Sequence, residues 1–121
     1  MILSKVVAIR CRYYNRQLPV GNCHEISHLI GFILQQEGFY VNLVYGTCND
    51  CYHTWLEING VQLDPSRDCA NQTGDWVCLV NKEEYIVHSV DKFNINDFYN
   101  QIDLEVLVQQ SKETCCFYDK K

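Results

Sequence analysis

Three residues far apart in the chain, Cys23, His53 and Asp64, are of the types that thiol chemistry needs, and the pattern around each suggests how they meet. A cysteine attacks a carbonyl carbon as the thiolate. The thiolate needs a base to receive its proton, and the base needs a partner that fixes its tautomer. Cys23 opens the segment Cys23–Gln36, in which Ile26, Leu29, Ile30, Ile33 and Leu34 recur at helical spacing, with Gly21-Asn22 before it and Gly38 as its stop. At the first turn of such a helix the unpaired N–H groups and the macrodipole favour a negative sulfur. His53 and Asp64 lie on either side of Asn59-Gly60, the pair a two-residue type I′ hairpin turn prefers. With Ile58 opposite Val61, Trp55 falls opposite Asp64 and His53 opposite Ser66. Alternation then puts His53, Trp55, Glu57, Gln62 and Asp64 on one face, and Leu56, Ile58, Val61 and Leu63 on the other. His53 and Asp64 become diagonal cross-strand neighbours, about 7–8 Å apart at the backbone and close enough for their side chains to meet. Trp55, between them, is placed to roof the imidazole against water.

The elements that must hold these groups are legible around them. Residues 5–9 read as a short strand or an irregular arm, followed by a polar stretch over 10–17. Beyond the helix, residues 39–45 are rich in aromatic and β-branched types and read as a strand ending near Gly46, with a Cys-rich loop over 47–51. Pro65 ends the hairpin. Residues 76–80 and 85–90 suggest two more strands, with 81–84 as their turn. Asn96 suits the N-cap of a C-terminal helix running to about Lys112, with Phe98, Ile102 and Val106 on one stripe. There is no internal repeat, low-complexity tract or Pro/Gly-rich linker, so residues 1–121 are expected to form a single domain. Its class is α+β: the helix 23–36 packed on an antiparallel sheet that carries His53 and Asp64.

Gly21-Asn22-Cys23, a helix ending at Gly38-Phe39, a strand reaching Gly46, His53-Thr54-Trp55-Leu56-Glu57-Ile58 and Leu63-Asp64-Pro65 together resemble the transglutaminase-like core of the papain-fold cysteine enzymes. That pattern has a Cys on a helix, a His in an H-x-W-x-E strand and an Asp in a D-P pair; order, spacing and flanking residues all agree over 21–66. The resemblance implies a papain-like fold with Cys23 as nucleophile, His53 as general base and acid, and Asp64 as its orienter. It implies attack on an amide carbonyl to form a thioester, which passes its acyl group to water or to an amine. For the oxyanion it implies the Cys23 backbone N–H and one side-chain donor; Gln17, six residues upstream, has the spacing of papain-type enzymes, the alternative being a solvated loop amide. Two departures stand out. His24 follows the cysteine where the family has a tryptophan, and few residues precede it to build a cleft.

Two other patterns compete. His24-Glu25-Ile26-Ser27-His28 spells H-E-x-x-H, the helical zinc motif of metalloproteases, with Gly31 extending it. His24 and His28 fall roughly opposite the centre of the apolar stripe, toward a cleft or water. Leu34 stands where one zinc-protease class has its third histidine, so Glu37, His53 or His88 would have to serve. Cys48-Asn49-Asp50-Cys51, with Cys69 and Cys78 further on, allows a structural zinc module without catalysis, a loop disulfide or a redox pair; inert loop thiols are the plain alternative. Cys11 and Cys78 read as packing residues, and Cys115 and Cys116 are assigned no role. Glu57 either pairs with a cation or faces solvent, and Tyr13 and Tyr14 either line a cleft or cover the core.

Composition narrows the function classes. In 121 residues, 47% of positions are apolar, enough to bury a core. Ten basic against fifteen acidic residues give a net charge of −5 with no basic stripe, which disfavours a nucleic-acid or anionic-membrane surface. No apolar run approaches the roughly 20 residues of a membrane span, and Lys5 interrupts the only candidate leader. The expectation is a cytoplasmic thiol hydrolase (a peptidase or amidase) without cofactor or resident metal, acting on a protein or peptide substrate. Hydrolysis is preferred over crosslinking because so short a chain has little surface with which to hold two proteins and exclude water. Eight cysteines would suggest disulfides in a secreted chain; without a leader they are expected reduced.

Overall fold

A computed structural model describes residues 2–14, 23–70 and 75–93. The elements run α1 (Ile2–Tyr13), α2 (Cys23–Gln36), β1 (Val41–Cys48), β2 (Cys51–Ile58), β3 (Val61–Asp64), α3 (Arg67–Ala70), β4 (Cys78–Leu79) and β5 (Tyr85–Lys92). The fold is α+β, and the described residues form three helices and a five-stranded antiparallel sheet in the order β4-β3-β2-β1-β5. Gly21, Asn22, Gln17 and the C-terminal helix expected from Asn96 lie outside the described residues. Among those described, no helix is long and apolar enough to cross a membrane.

α2 packs across β1 and β2. Ile26, Leu29, Ile30 and Leu34 are buried against Val41, Leu43, Leu56, Ile58 and Leu63 on the facing side of the sheet. Each such side chain contributes about 1.5–3 kcal/mol by leaving water. The helix ends as its Gly38 suggests. Gly38 takes φ +93°, Phe39 N–H bonds Leu34 C=O at 3.1 Å and Gly38 N–H bonds Gln35 C=O at 3.0 Å, a Schellman cap with Phe39 folded onto the core.

Residues 5–9 are helical, not a strand or an arm. The β-branched run in α1 hides a stripe in which Ile2, Val6, Ile9 and Tyr13, spaced by four, three and four, face the same core as α2. Arg10 lies on that side too and is buried. Its guanidinium grips both oxygens of Asp68 at 2.9 and 2.6 Å, donates to Pro65 C=O at 2.8 Å and to Tyr14 C=O at 3.0 Å, and stacks 4.9 Å from the Trp76 ring. One side chain thus ties α1 to the chain just after Asp64. Tyr14 is core rather than cleft, its hydroxyl bonding Glu25 at 3.1 Å, and Tyr13 packs at the core edge.

β1 runs past Gly46 to Cys48, and the expected Cys-rich loop is a two-residue turn. Asn49 and Asp50 take φ 51° and 67°, so Cys48 and Cys51 pair across it. The second hairpin turn has the expected form, with φ 50° at Asn59, 84° at Gly60, and Ile58 opposite Val61. The strands on either side of residues 81–84 do not pair with each other. β4 keeps only Cys78–Leu79 and joins β3, while β5 pairs with β1 at the other edge. There β1 bulges at Tyr45/Gly46. A Cβ on Gly46 would collide with the Ile86 carbonyl oxygen and stand 2.8 Å from the Trp55 ring, so only glycine lets the strands approach.

Candidate active site

Cys23, His53 and Asp64 come together. Cys23 is the first residue of α2, half-buried, and its sulfur lies within hydrogen-bond reach of the His53 side chain and the Thr54 backbone N–H. The His53 ring is 4% exposed as a residue, and its Nε2 lies 2.8 Å from Asp64 Oδ2. With Nε2 committed to the carboxylate, Nδ1 is the nitrogen left to face the sulfur. Asp64 is fully buried and well held: Ser66 N–H donates to Oδ1 at 2.9 Å and the Tyr85 hydroxyl to Oδ2 at 2.7 Å. Buried carboxylates persist when their lone pairs are filled in this way.

The electrostatics follow from these contacts. Burial alone would push His53 below its ordinary 6.5, yet its bonds with Asp64 and Cys23 and their negative charge raise it to about 9. Burial also opposes a charged Cys23, but the bond and positive charge of His53, together with the Thr54 N–H, hold the thiol below its usual 9.0. The two groups share one proton, and the surroundings favour placing it on the imidazole. The N-terminus of α2 adds to that preference.

Trp55 lies on the same strand face, its ring centroid 6.1 Å from that of His53, with Nε1–H fixed to Gln62 Oε1 at 3.0 Å. It is fully buried and shields the imidazole from one side. Glu57 meets amides rather than a cation or bare solvent: Asn42 at 2.9 Å and Gln62 at 3.4 Å. A cleft of about 250 Å³ opens over Cys23 and His53, walled by His24, Tyr45, Gly46, Tyr52, Thr54 and His88.

The H-E-x-x-H residues are arranged differently from the expectation that both histidines face a cleft or water. His28 is fully buried, because residues 26–32 of α2 are enclosed by the sheet and Phe93 as well as by the core. Its Nδ1 lies 2.8 Å from the His24 carbonyl one turn back. His24 stacks on His28 at 4.6 Å and places Nδ1 3.3 Å from Thr54 Oγ1, while Glu25 is turned to Tyr14. Among the described residues no three His, Cys, Asp or Glu side chains gather as a metal site. The C-x-x-C thiols do not form a cage either. Cys48 is buried and Cys51 exposed; Cys78 joins Cys48 beside Trp55 and Tyr85, whereas Cys69 sits in the separate core under the helices. Cys78 is therefore a packing residue as expected, while Cys11 is half-buried along a groove beside Trp76. All six described cysteines are free thiols.

Residues that sequence patterns did not single out complete the site. Tyr85 reaches Asp64 from the opposite sheet edge, with no local signal to mark it. The contacts of Thr54 and the cleft wall at Tyr45 and Tyr52 depend equally on tertiary structure, as does the place in that wall of His88, which the sequence offered only as a zinc ligand. Gly46 was the one readable hint, since a glycine inside a strand often marks close approach. In comparisons with known proteins, no family model, curated protein or solved structure matches the chain.

Proposed function

We propose that this chain is a thiol hydrolase with a transglutaminase-like, papain-fold core, cleaving an amide or related acyl bond through a thioester on Cys23. The observation that carries this reading is His53, buried between the Asp64 carboxylate at 2.8 Å and the Cys23 thiol. In the first step the thiolate forms a C–S bond to the carbonyl carbon. His53 gives its proton to the departing nitrogen as the C–N bond breaks. Water then attacks the thioester, yields its proton to His53, and the C–S bond breaks to release the acid. Asp64 keeps Nε2–H oriented through both steps and stabilises the imidazolium. The Cys23 backbone N–H at the head of α2 would donate to the oxyanion, with Gln17 as the assisting side chain that the resemblance implies. The absence of Asp, Glu, Lys or Arg from the described cleft wall fits an uncharged amide better than a free carboxylate.

The test needs no knowledge of the natural substrate. A p-nitrophenyl ester supplied in excess should give a burst of nitrophenolate equal to the enzyme present, with the acyl mass located on Cys23. Chelators should leave the burst unchanged. Cys23→Ser should abolish it with the fold intact. A full burst from Cys23→Ser, or one removed by chelation and restored by zinc, would overturn the proposal.

A further inference from the structure

The strongest unassigned group next to the site is the phenol of Tyr85. It is 4% exposed, its ring meets Trp55 edge-on at 5.1 Å, and its oxygen lies 2.7 Å from Asp64 Oδ2, the same oxygen that holds His53. A carboxylate only accepts, so the phenol is the donor. Its oxygen is then left as an acceptor, and the Cys78 thiol stands 3.4 Å away. With the phenol's only proton given to Asp64, the thiol is the donor in that contact. We infer that Tyr85 is a positioning residue of the site, the fourth member, counted from the nucleophile, of a chain that runs Cys23 to His53 to Asp64 to Tyr85 O–H to Cys78 S–H, and that it sets how strongly Asp64 holds the His53 proton.

Two independent features support a fixed direction of donation. Burial, with the nearby Asp64 charge, pushes both Tyr85 and Cys78 up, so neither gives up its proton in the physiological range. Asp64 Oδ1 is already engaged by Ser66 N–H, so the carboxylate cannot rotate to present a different oxygen to His53 without losing a bond. The phenol donates into the lone pairs that face the imidazole, and a carboxylate that shares its charge with two donors pulls on each less strongly. Removing the hydroxyl should therefore strengthen the hold on the imidazolium rather than weaken it. A purely structural residue would act in the opposite sense, since loosening Asp64 would let His53 fall toward its ordinary range.

The inference rests on the proposed role of Cys23, His53 and Asp64, and its test is separable from it. His53 is titrated by NMR in the wild type and in Tyr85→Phe, which keeps the ring against Trp55. Its midpoint should move upward by about half a pH unit or more. An unchanged or lowered midpoint in the folded variant overturns the inference. If Tyr85→Phe does not fold, Cys78→Ala and Cys78→Ser decide: a shift in the alanine variant that the serine variant restores supports the chain, and no shift in either refutes it. Failure of the wild-type ester burst would remove the hydrolase reading while leaving the NMR result to stand or fall alone.

Discussion

The most direct consequence of the geometry concerns the sulfur itself, and His53→Gln exposes it. Glutamine occupies a similar volume and can still bond Asp64, but it carries no positive charge. At pH 6.5 a thiol titrating at its ordinary 9.0 is ionised to about 0.3%, so complete ionisation raises the thiolate population by at most about 300-fold. Part of that gain is returned, because a thiolate loses nucleophilicity by about 0.4–0.5 of a decade for each decade of added acidity. The net effect of the imidazolium on alkylation is then between one and two orders of magnitude. Burial enlarges it, since a half-buried sulfur without its partner is pushed above 9.0 rather than left there. The assay is iodoacetamide labelling at pH 6.5, with each cysteine quantified by mass spectrometry and exposed Cys51 as the internal reference. Cys23 labelling in His53→Gln should fall about 20-fold or more against wild type, and Cys51 should not change. Equal Cys23 rates in the two proteins, within twofold, would refute the thiolate–imidazolium pair.

Other expectations follow from the same structure. The raised proton affinity of His53 contributes stability in full below 6.5 and loses it as the pH climbs through about 9, whereas the lowered Cys23 contributes above its ordinary 9.0 and loses that as the pH falls; the two slopes oppose each other. Urea unfolding of the wild type should therefore change little between pH 6.5 and 9, and Cys23→Ser should become progressively less stable with rising pH; a Cys23→Ser stability that rises with pH contradicts the assignment. Arg10→Met removes the guanidinium from buried Asp68 and should cost about 3–5 kcal/mol in urea unfolding, with Arg10→Met/Asp68→Leu recovering part of it; a single variant within 1 kcal/mol of wild type, by order of magnitude, would show that the clamp is not needed. Gly46→Ala should cost at least about 2 kcal/mol, because the obstacle is the Ile86 backbone rather than a side chain that can move aside; an alanine variant with wild-type unfolding would mean that β1 and β5 can separate there without penalty.

What could be read in the sequence is what local physics decides. The Asn59-Gly60 turn fixes register, register fixes faces, and faces put His53 within reach of Asp64 before any tertiary contact is considered. The α2 stripe and its Gly38 cap are local in the same sense. The misread parts are those where two local descriptions compete and only packing chooses. The β-branched Val6, Val7 and Ile9 suit a strand by propensity, but the spacing of Ile2, Val6, Ile9 and Tyr13 suits a helix, and burial against α2 selects the second. His28 lies off the apolar stripe of α2, yet it is buried because the sheet encloses more of that helix than a single stripe requires. Tyr85 is the extreme case: β4 and β5 sit at opposite edges of the sheet, and the sheet must curl for a phenol on one to touch a thiol on the other. That curl is a property of the whole sheet, and no window of the sequence contains it. The division therefore runs through the site itself: the His53–Asp64 pair is set by one hairpin, while the sulfur in front of it and the phenol behind it are delivered by the fold.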